Sequence, residues 1–332
     1  MHVSFFEVQD WEGELIRKNL KSPTIYKETL TPINAKKAKN SEIISVFIYS
    51  KISKQVLQEL PKLKLIITRS TGFDHIDLVE CKKRKVKVCY IPSYGENTVA
   101  EHTFALILAL SRKIHKSYIR TLKNDFTIEG LEGFDLKGKT LGVVGAGKIG
   151  KHVIRIARGF EMNVLVNDRH VDEFLATELN FKYVSFNELL KKSDIVTLHI
   201  PYSKENHFLI NKKNISLFKE GSILINTSRG LLVDTEALLL GLKKKILSGV
   251  GIDVIEDEKF IKEEKELLHE KNKREAIKNF LEDHELIRNE NVVFTPHIAF
   301  YSREALERII EKTIGEIKSF EKGKLDKECI IC

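Results

Sequence analysis

A glycine-rich turn between an apolar run and an amphipathic segment constrains this chain more than any other feature. The run 141–144 is short and rich in β-branched residues, which is typical of a buried parallel strand. It leads into Gly145-x-Gly147-x-x-Gly150, and apolar residues then recur at helical spacing over 149–160. The three glycines allow a tight turn, a close approach of the backbone to a pyrophosphate, and close packing of helix on strand. The pattern predicts a dinucleotide-binding unit whose helix start holds the pyrophosphate.

An acidic residue follows this unit at an informative distance. A second apolar run, 164–166, leads to Asp168, which lies 18 residues after Gly150. That spacing is typical of the carboxylate that binds the adenosine ribose hydroxyls. Because such a carboxylate repels the 2′-phosphate of NADP, the sequence predicts NAD as the cofactor, with the adjacent Arg169 softening the preference. A lone glycine pattern occurs in other α/β proteins, so the prediction rests on the order strand, glycines, helix, strand and acid.

Length and charge limit the classes of protein that need considering. At 332 residues the chain exceeds one typical core, so we expect two domains. The net charge is +8, but basic and acidic residues alternate almost everywhere, and the cluster 82–85 has no interleaved aromatic residues. We therefore expect no nucleic-acid partner, and the basic balance favours small anionic substrates. No secretory signal or membrane-spanning run is visible, so we expect a cytoplasmic protein without membrane association.

The four cysteines are predicted to be free thiols, because no secretory signal accompanies them. The spacing Cys329-x-x-Cys332 suits a zinc pair or a prenylation box, but a lone pair with Cys as the last residue is weak support for either. Frayed thiols near a chain end are the favoured interpretation, and no metal site is predicted.

Short apolar runs alternate with helical patterns along the whole chain, which indicates an α/β fold with parallel sheets. Strands are predicted at 2–8, 43–49, 65–68, 86–90, 195–200, 223–226, 249–254 and 292–295, besides the dinucleotide unit. Helices are predicted at 53–60, from the capping box Thr98-x-x-Glu101 onward, at 234–245 and at 302–321, with an irregular connection at 121–137 and a charged, helix-prone insertion at 259–290. The last helix is expected to fold back on the N-terminal unit.

Three polar residues lie at or beyond the carboxyl ends of predicted strands, where open α/β sheets bind ligands: Arg229, Glu258 and His297. An arginine binds a carboxylate through two parallel hydrogen bonds. A histidine can protonate a carbonyl oxygen as hydride arrives, and a nearby carboxylate orients it and raises its pKa. Each residue alone is more often structural, so the prediction depends on their combination.

Six motifs in order give that combination a recognisable form: Ser70-Thr-Gly-Phe-Asp74, Val99-Ala-Glu-His102, Gly145-Ala-Gly-Lys-Ile-Gly150, Asn226-Thr-Ser-Arg-Gly230, Gly251-Ile-Asp253 with Glu258, and Thr295-Pro-His-Ile-Ala-Phe-Tyr301. With them, nearly the whole chain resembles the D-2-hydroxyacid dehydrogenase family. The resemblance implies two Rossmann-like domains, one flavodoxin-like and one NAD-binding, with a cleft between them. It places the substrate domain at 1–100 plus 299–332 and the NAD-binding domain at 101–298, in a homodimer.

The resemblance also implies roles for matching residues. Arg229 would bind the substrate carboxylate, His297 would be the acid/base, and Glu258 would be its partner. The expected cofactor residues are Gly145, Gly147, Lys148, Ile149, Gly150, Asp168, Thr103, His199, Pro201, Thr227 and Asp253. The expected substrate residues are Tyr49, Thr71, Gly72, Tyr94 and Phe300.

Within the family, the chain is most similar to the D-lactate dehydrogenase branch. The aromatic residues Tyr49, Tyr94 and Phe300 match those that shape a small apolar pocket there, and the long interval between Glu258 and His297 also fits. Lys259 departs from the proline of many relatives, which leaves the geometry after Glu258 open. Pyruvate is the expected substrate; glyoxylate or hydroxypyruvate reduction is the alternative, and a non-catalytic NAD-sensing protein is the alternative outside enzymes.

Overall fold

The computed structural model describes residues 1–256 and 273–332, without the side chains of residues 273–280. The chain divides into two compact units, Met1–Gly95 with Tyr301–Cys332, and Glu96–Phe300. Each unit contains one parallel β-sheet with helices, which confirms the predicted α/β fold. The domain boundaries at residues 100 and 298 stay a prediction.

Short strands supply both sheets. In the described residues they are β1 (Val3–Phe5), β2 (Thr24–Ile25), β3 (Ile43–Val46), β4 (Leu65–Thr68), β5 (Lys87–Tyr90), β6 (Thr140–Val144), β7 (Asn163–Asn167), β8 (Lys182–Tyr183), β9 (Ile195–Leu198), β10 (Ser222–Asn226), β11 (Leu247–Ile252) and β12 (Val292–Phe294).

The helices of the same residues are α1 (Asp10–Asn19), α2 (Lys54–Gln58), α3 (Leu78–Lys83), α4 (Glu96–Ser111), α5 (Ile114–Leu122), α6 (Lys148–Gly159), α7 (Glu173–Glu178), α8 (Phe186–Lys192), α9 (Thr235–Lys243), α10 (Lys273–Arg288) and α11 (Arg303–Glu321). None of them is long and apolar enough to cross a membrane.

The sheet of the first unit has the order β2-β1-β3-β4-β5, with every pairing parallel. Every residue of β3 and β4 is buried, as expected for strands covered on both faces. The last helix, α11, returns to this unit as predicted: its Ile310, Ile314 and Ile317 share a core with Phe5. The strand order reverses between β1 and β3, which makes their carboxyl ends the switch point of this sheet.

The C-terminal residues pair with β5 in an antiparallel bridge, and the expectation of frayed thiols is therefore wrong. Ile331 N donates to Val88 O at 2.8 Å, and Val88 N donates to Cys332 O at 3.1 Å. Cys329 is buried in the core of the first unit, and this burial raises the pKa of its thiol to about 11. Apolar packing explains the order, since Ile330 and Ile331 join the cores on the two sides of β5.

The sheet of the second unit has the order β12-β11-β10-β9-β6-β7-β8, and it is also parallel throughout. The chain builds outward from β6 to β8, returns to β9 beside β6, and then builds toward β12. The switch point therefore lies between the carboxyl ends of β6 and β9, directly beside the glycine turn.

Two local predictions differ from the structure. Helix α4 begins at Glu96, so Thr98 lies buried within its first turn and the capping box is wrong. The irregular connection at 121–137 begins after Leu122, because the preceding residues form α5, which has no buried residue. Of the predicted insertion 259–290, the structure describes α10, whereas residues 257–272 lie outside the described residues.

Candidate active site

The glycine turn has the shape that a pyrophosphate requires. Gly145 has a φ of +96°, a conformation that favours glycine, and a Cβ on Gly150 would lie 2.0 Å from Gly145 O. Gly147 is the N-cap of α6, and in the described part of the chain no atom beyond its neighbours along the backbone lies within 4 Å of the position that a Cβ would take there. The backbone is therefore closely packed between Gly150 and Gly145, whereas there is open space beside Gly147. This shape is expected for a turn that holds a phosphate.

Asp168 contacts the same turn directly. Its Oδ2 accepts a hydrogen bond from Ala146 N at 2.7 Å, and its Oδ1 accepts one from His170 N at 2.9 Å. Since each carboxylate oxygen has a second lone pair, both can still accept from ribose hydroxyls. Arg169 contacts Glu205 at 3.2 Å, with both side chains more than 70% exposed, which makes a weak surface pair.

Two other predicted cofactor residues meet in the core. Thr103 Oγ1 donates to Val99 O at 2.8 Å and lies 3.0 Å from Thr227 Oγ1, so Thr227 donates to Thr103. Both residues are buried. These contacts hold α4 against the segment after β10.

His199 follows β9 at the switch point, and its carbonyl oxygen borders Gly145. Its Nε2 lies 2.9 Å from Thr197 Oγ1, while its buried Nδ1 has no hydrogen-bond partner among the described residues. Burial lowers the pKa of this imidazole to about 3, so the ring is neutral near pH 7. Of the remaining cofactor candidates, Lys148 and Pro201 are exposed and Ile149 is partly buried.

Asp253, predicted as a cofactor residue, anchors the loop that carries His297. Its Oδ1 accepts from Thr295 Oγ1 at 2.5 Å and from Ile298 N at 2.9 Å, and its Oδ2 accepts from Ala299 N at 2.9 Å. The carboxylate is almost fully buried, at 1% exposure. A buried carboxylate that accepts from three donors is held firmly, so it fixes the position of the loop that provides these donors.

His102 extends this network, although no role is expected for it from the sequence. Its Nε2 lies 2.9 Å from Thr295 Oγ1 and 3.6 Å from Asp253 Oδ1. Because the Thr295 hydroxyl donates its one proton to Asp253, His102 Nε2 must be the donor to Thr295. Burial lowers the pKa of His102, and the opposing influence of Asp253 raises it. The motif Val99-Ala-Glu-His102 is the feature of the sequence that could have indicated this residue, but only the fold shows that His102 contacts Thr295.

His297 has an unusual backbone conformation. Its φ is 55°, in the left-handed region, and its N–H lies 2.9 Å from both Asp253 O and Thr295 O. Left-handed backbone at a non-glycine residue costs free energy and persists where its surroundings fix it, often at functional sites. Its ring meets the edge of Phe300, with centroids 6.3 Å apart and an interplanar angle of 81°.

Arg229 lies after β10, two strands from His297. Asn226 Nδ2 donates to Arg229 O at 2.9 Å, and Asn226 Oδ1 accepts from Ser228 N at 3.1 Å, which fixes the turn. A Cβ on Gly230 would lie 1.9 Å from Ile255 O, so only glycine fits after Arg229. Arg229 forms no ion pair with a carboxylate of the described residues, and its Nη1 donates to Ser228 O at 2.8 Å.

The carboxyl ends of β10, β11 and β12 thus present Arg229, Asp253 and His297 on three adjacent strands. The predicted partner Glu258 lies outside the described residues. The predicted substrate residues Tyr49, Thr71, Gly72 and Tyr94 belong to the first unit, whereas Phe300 belongs to the second. Thr71 Oγ1 lies 3.4 Å from the Tyr94 hydroxyl, and Ser70 Oγ donates to Gly72 O at 2.6 Å.

Comparison with known proteins identifies the family that this chain matches. The model for "D-isomer specific 2-hydroxyacid dehydrogenase, NAD binding domain" matches residues 104–299. The chain is 37% identical to D-lactate dehydrogenase of Escherichia coli over 297 residues, or 89% of this chain and 88% of that protein. It is 33% identical to glyoxylate reductase of Thermococcus litoralis, over 98% and 90% of the two chains.

A solved structure agrees with these matches. D-lactate dehydrogenase from Aquifex aeolicus, in complex with NAD and lactic acid, superposes with a TM-score of 0.83 at 40% identity, over 99% of each chain. An NAD-binding domain in the matched family and the shape of the glycine turn agree on the cofactor.

Proposed function

Because the chain belongs to the D-isomer-specific 2-hydroxyacid dehydrogenases, which are NAD-dependent oxidoreductases acting on the CH–OH group, we propose that it is a D-lactate dehydrogenase. The main support is the set of three adjacent strand ends, where Arg229 stands two strands from a His297 loop anchored by buried Asp253. This arrangement combines a carboxylate-binding cation with an acid/base on a fixed loop.

In the proposed reaction, Arg229 binds the substrate carboxylate and orients the 2-oxo group. His297 donates a proton to the carbonyl oxygen during reduction and takes it back during oxidation. Glu258 would be the partner of His297, a role that rests on the family resemblance. The turn 145–150 and Asp168 hold the dinucleotide, which supplies or accepts the hydride when bound. The family resemblance implies four further substrate residues: Tyr49, Thr71, Gly72 and Tyr94.

Pyruvate is the proposed oxo acid because of Phe300. Its ring meets the ring of His297 edge-on, so a bulky apolar group lies beside the proposed acid/base. The space beside His297 is therefore limited, which favours an oxo acid with a methyl group over one with a longer side chain. The names of the E. coli and Aquifex relatives support the same substrate. The name of the Thermococcus relative supports glyoxylate as an alternative substrate, and hydroxypyruvate stays an alternative from the sequence.

The decisive experiment follows loss of NADH absorbance with pyruvate, glyoxylate, hydroxypyruvate and 2-oxobutyrate, with NADPH as the cofactor control. We expect the highest kcat/KM with pyruvate and NADH, and D-lactate as the product in a stereospecific assay. Preference for glyoxylate or hydroxypyruvate would replace the lactate proposal with the alternative reductase. NADH binding without turnover on any of these acids would favour the non-catalytic NAD-sensing alternative.

A homodimer is proposed as the working assembly. Helix α5 and the segment after it expose apolar side chains to solvent: Ile114, Tyr118, Ile119, Leu122, Phe126 and Ile128 are each more than half exposed. Several exposed apolar side chains close together along the chain are typical of an interface. Light scattering should give twice the chain mass for the wild type and the single mass for Leu122→Asp. A cytoplasmic location stays a prediction from the sequence.

A further inference from the structure

Glu7 lies at the switch point of the first sheet, just after β1, and no role is expected for it from the sequence. Its backbone has a φ of 57°, in the left-handed region, and its N–H donates to Glu28 O at 3.0 Å. Strained backbone persists where surrounding contacts fix it, so we expect the Glu7 side chain to make specific contacts.

The Glu7 carboxylate binds the loop that follows β3. Its Oε2 accepts from Phe47 N at 2.9 Å, and its Oε1 accepts from Tyr49 N at 2.8 Å. Ser50 Oγ also donates to Oε2, and the same hydroxyl accepts from Leu30 N at 2.9 Å. One carboxylate therefore fixes two backbone amides and a buried serine of the loop 47–50.

Arg69 fixes Glu7 in turn. This arginine follows β4 and is 1% exposed, and its Nη2 donates to Phe6 O and Glu7 O, both at 2.8 Å. Its Nη1 reaches Ser45 Oγ on β3 at 3.2 Å. Burying a guanidinium is costly unless it is hydrogen-bonded, so these three contacts are a strong constraint on the backbone that Arg69 holds.

The two residues thus join the carboxyl ends of β4, β1 and β3. Arg69 immediately precedes the loop of Thr71 and Gly72, and Glu7 holds the loop of Tyr49. Glu7 fixes the backbone of Tyr49, whereas the residue as a whole is 61% exposed. An exposed aromatic residue on a fixed loop is suited to ligand contact.

We propose that Glu7 is a positioning residue that sets the place of Tyr49 and thereby the preference for a small 2-oxo acid. This inference rests on the proposed function. Glu7 itself takes no part in the chemistry, which belongs to Arg229 and His297.

The test begins with Glu7→Gln. A carboxylate offers only acceptors, whereas an amide has one oxygen and one NH₂, so either Phe47 N–H or Tyr49 N–H would face another donor. We expect the kcat/KM for pyruvate to fall between about tenfold and a hundredfold, mainly through KM, as a displaced substrate contact does. The preference for pyruvate over the bulkier 2-oxoisocaproate should fall, and Kd for NADH should stay unchanged.

Glu42→Gln is the matched control. Glu42 also accepts from a backbone amide, His2 N at 3.2 Å, and from Lys64 Nζ at 2.7 Å. It precedes β3, however, and so lies at the amino ends of the strands, away from the loop 47–50. It should leave the pyruvate preference as in the wild type. Glu7→Gln should also add little to the effect of Tyr49→Ala, because both act on one contact.

Hydrogen–deuterium exchange of the peptide that spans 47–50 separates this inference from the proposed function. Faster exchange in Glu7→Gln than in Glu42→Gln, together with the altered preference, supports the positioning role. Unchanged exchange, an equal loss on both oxo acids, or full additivity with Tyr49→Ala would overturn it. A wild type inert on every 2-oxo acid would refute the proposed function, and exchange would then decide the positioning alone.

If Glu7→Gln fails to fold, Glu7→Asp is measured by the same criteria. Aspartate tolerates the left-handed backbone and keeps the charge, but it is one methylene too short to hold both amides.

Discussion

Replacing Asp253 with asparagine should separate the anchoring of the His297 loop from overall stability. In the wild type both carboxylate oxygens accept backbone N–H groups, from Ile298 on one side and Ala299 on the other. In Asp253→Asn one of these N–H groups would face the NH₂ of the amide. Ala299 is buried, and a buried donor without a partner costs about 1–3 kcal/mol. The loop should shift to recover a partner, and His297 should shift with it.

A displacement of about 1 Å at a reacting group can cost about a hundredfold in rate, so we expect kcat/KM for pyruvate to fall by about that factor. Asp194→Asn is the matched control in the same sheet. Asp194 accepts from Thr140 N at 2.8 Å and from Lys219 Nζ at 2.6 Å, but it precedes β9, at the amino ends of the strands.

Asp253→Asn should lower the free energy of unfolding in urea by about 1–3 kcal/mol through the N–H left without a partner. Asp194→Asn should lower it by up to about 1 kcal/mol, because it loses the ion pair with Lys219 while its amide oxygen can still accept from Thr140 N. Only Asp253→Asn should lose activity. Equal activity losses in the two variants, or full activity in Asp253→Asn, would refute the anchoring role.

Three further changes probe the second unit. His297→Ala should lower kcat by at least about a hundredfold, which is the usual contribution of an acid/base, while fluorescence titration shows normal NADH binding; near-normal turnover would remove His297 from the mechanism. Asp168→Ala should raise kcat/KM with NADPH relative to NADH, because the charge that repels the 2′-phosphate is gone, and an unchanged ratio would contradict that role. His199 has a pKa of about 3 when folded, below its unfolded value of 6.5, so the unfolded state binds more protons and stability falls as the pH drops below about 6.5. Between pH 7 and 5 the wild type should therefore lose about 2 kcal/mol more than His199→Gln in urea unfolding, and parallel losses would contradict the buried, neutral imidazole.

The strands and the glycine turn could be predicted because their signals are local. Runs such as 65–68 and 141–144 are apolar and short, and the structure forms β4 and β6 there. The start of α4 was misplaced because Thr98 and Glu101 satisfy the spacing of a capping box, although the helix already begins at Glu96. Local spacing does not reveal that a threonine is buried inside the helix.

The anchoring residues could not be assigned from the sequence, because their partners are distant along the chain. Glu7 binds the amides of Phe47 and Tyr49, about forty residues away, and His102 meets Thr295, nearly two hundred residues away. Asp253 was expected at the cofactor from family resemblance, whereas its contacts to the His297 loop emerged only from the fold. The tail at 330–332 was misjudged for the same reason, since its order depends on β5.

The anchor at Asp253 has a consequence for protein engineering. It holds residues 298 and 299 by main-chain N–H groups, which every amino acid except proline carries, so the identity of the neighbouring side chains is not part of the attachment. Phe300 can therefore be exchanged for smaller or larger residues while the carboxylate keeps its donors. A library at position 300 should alter the range of accepted oxo acids while leaving the loop in register, which makes this site a starting point for directed evolution.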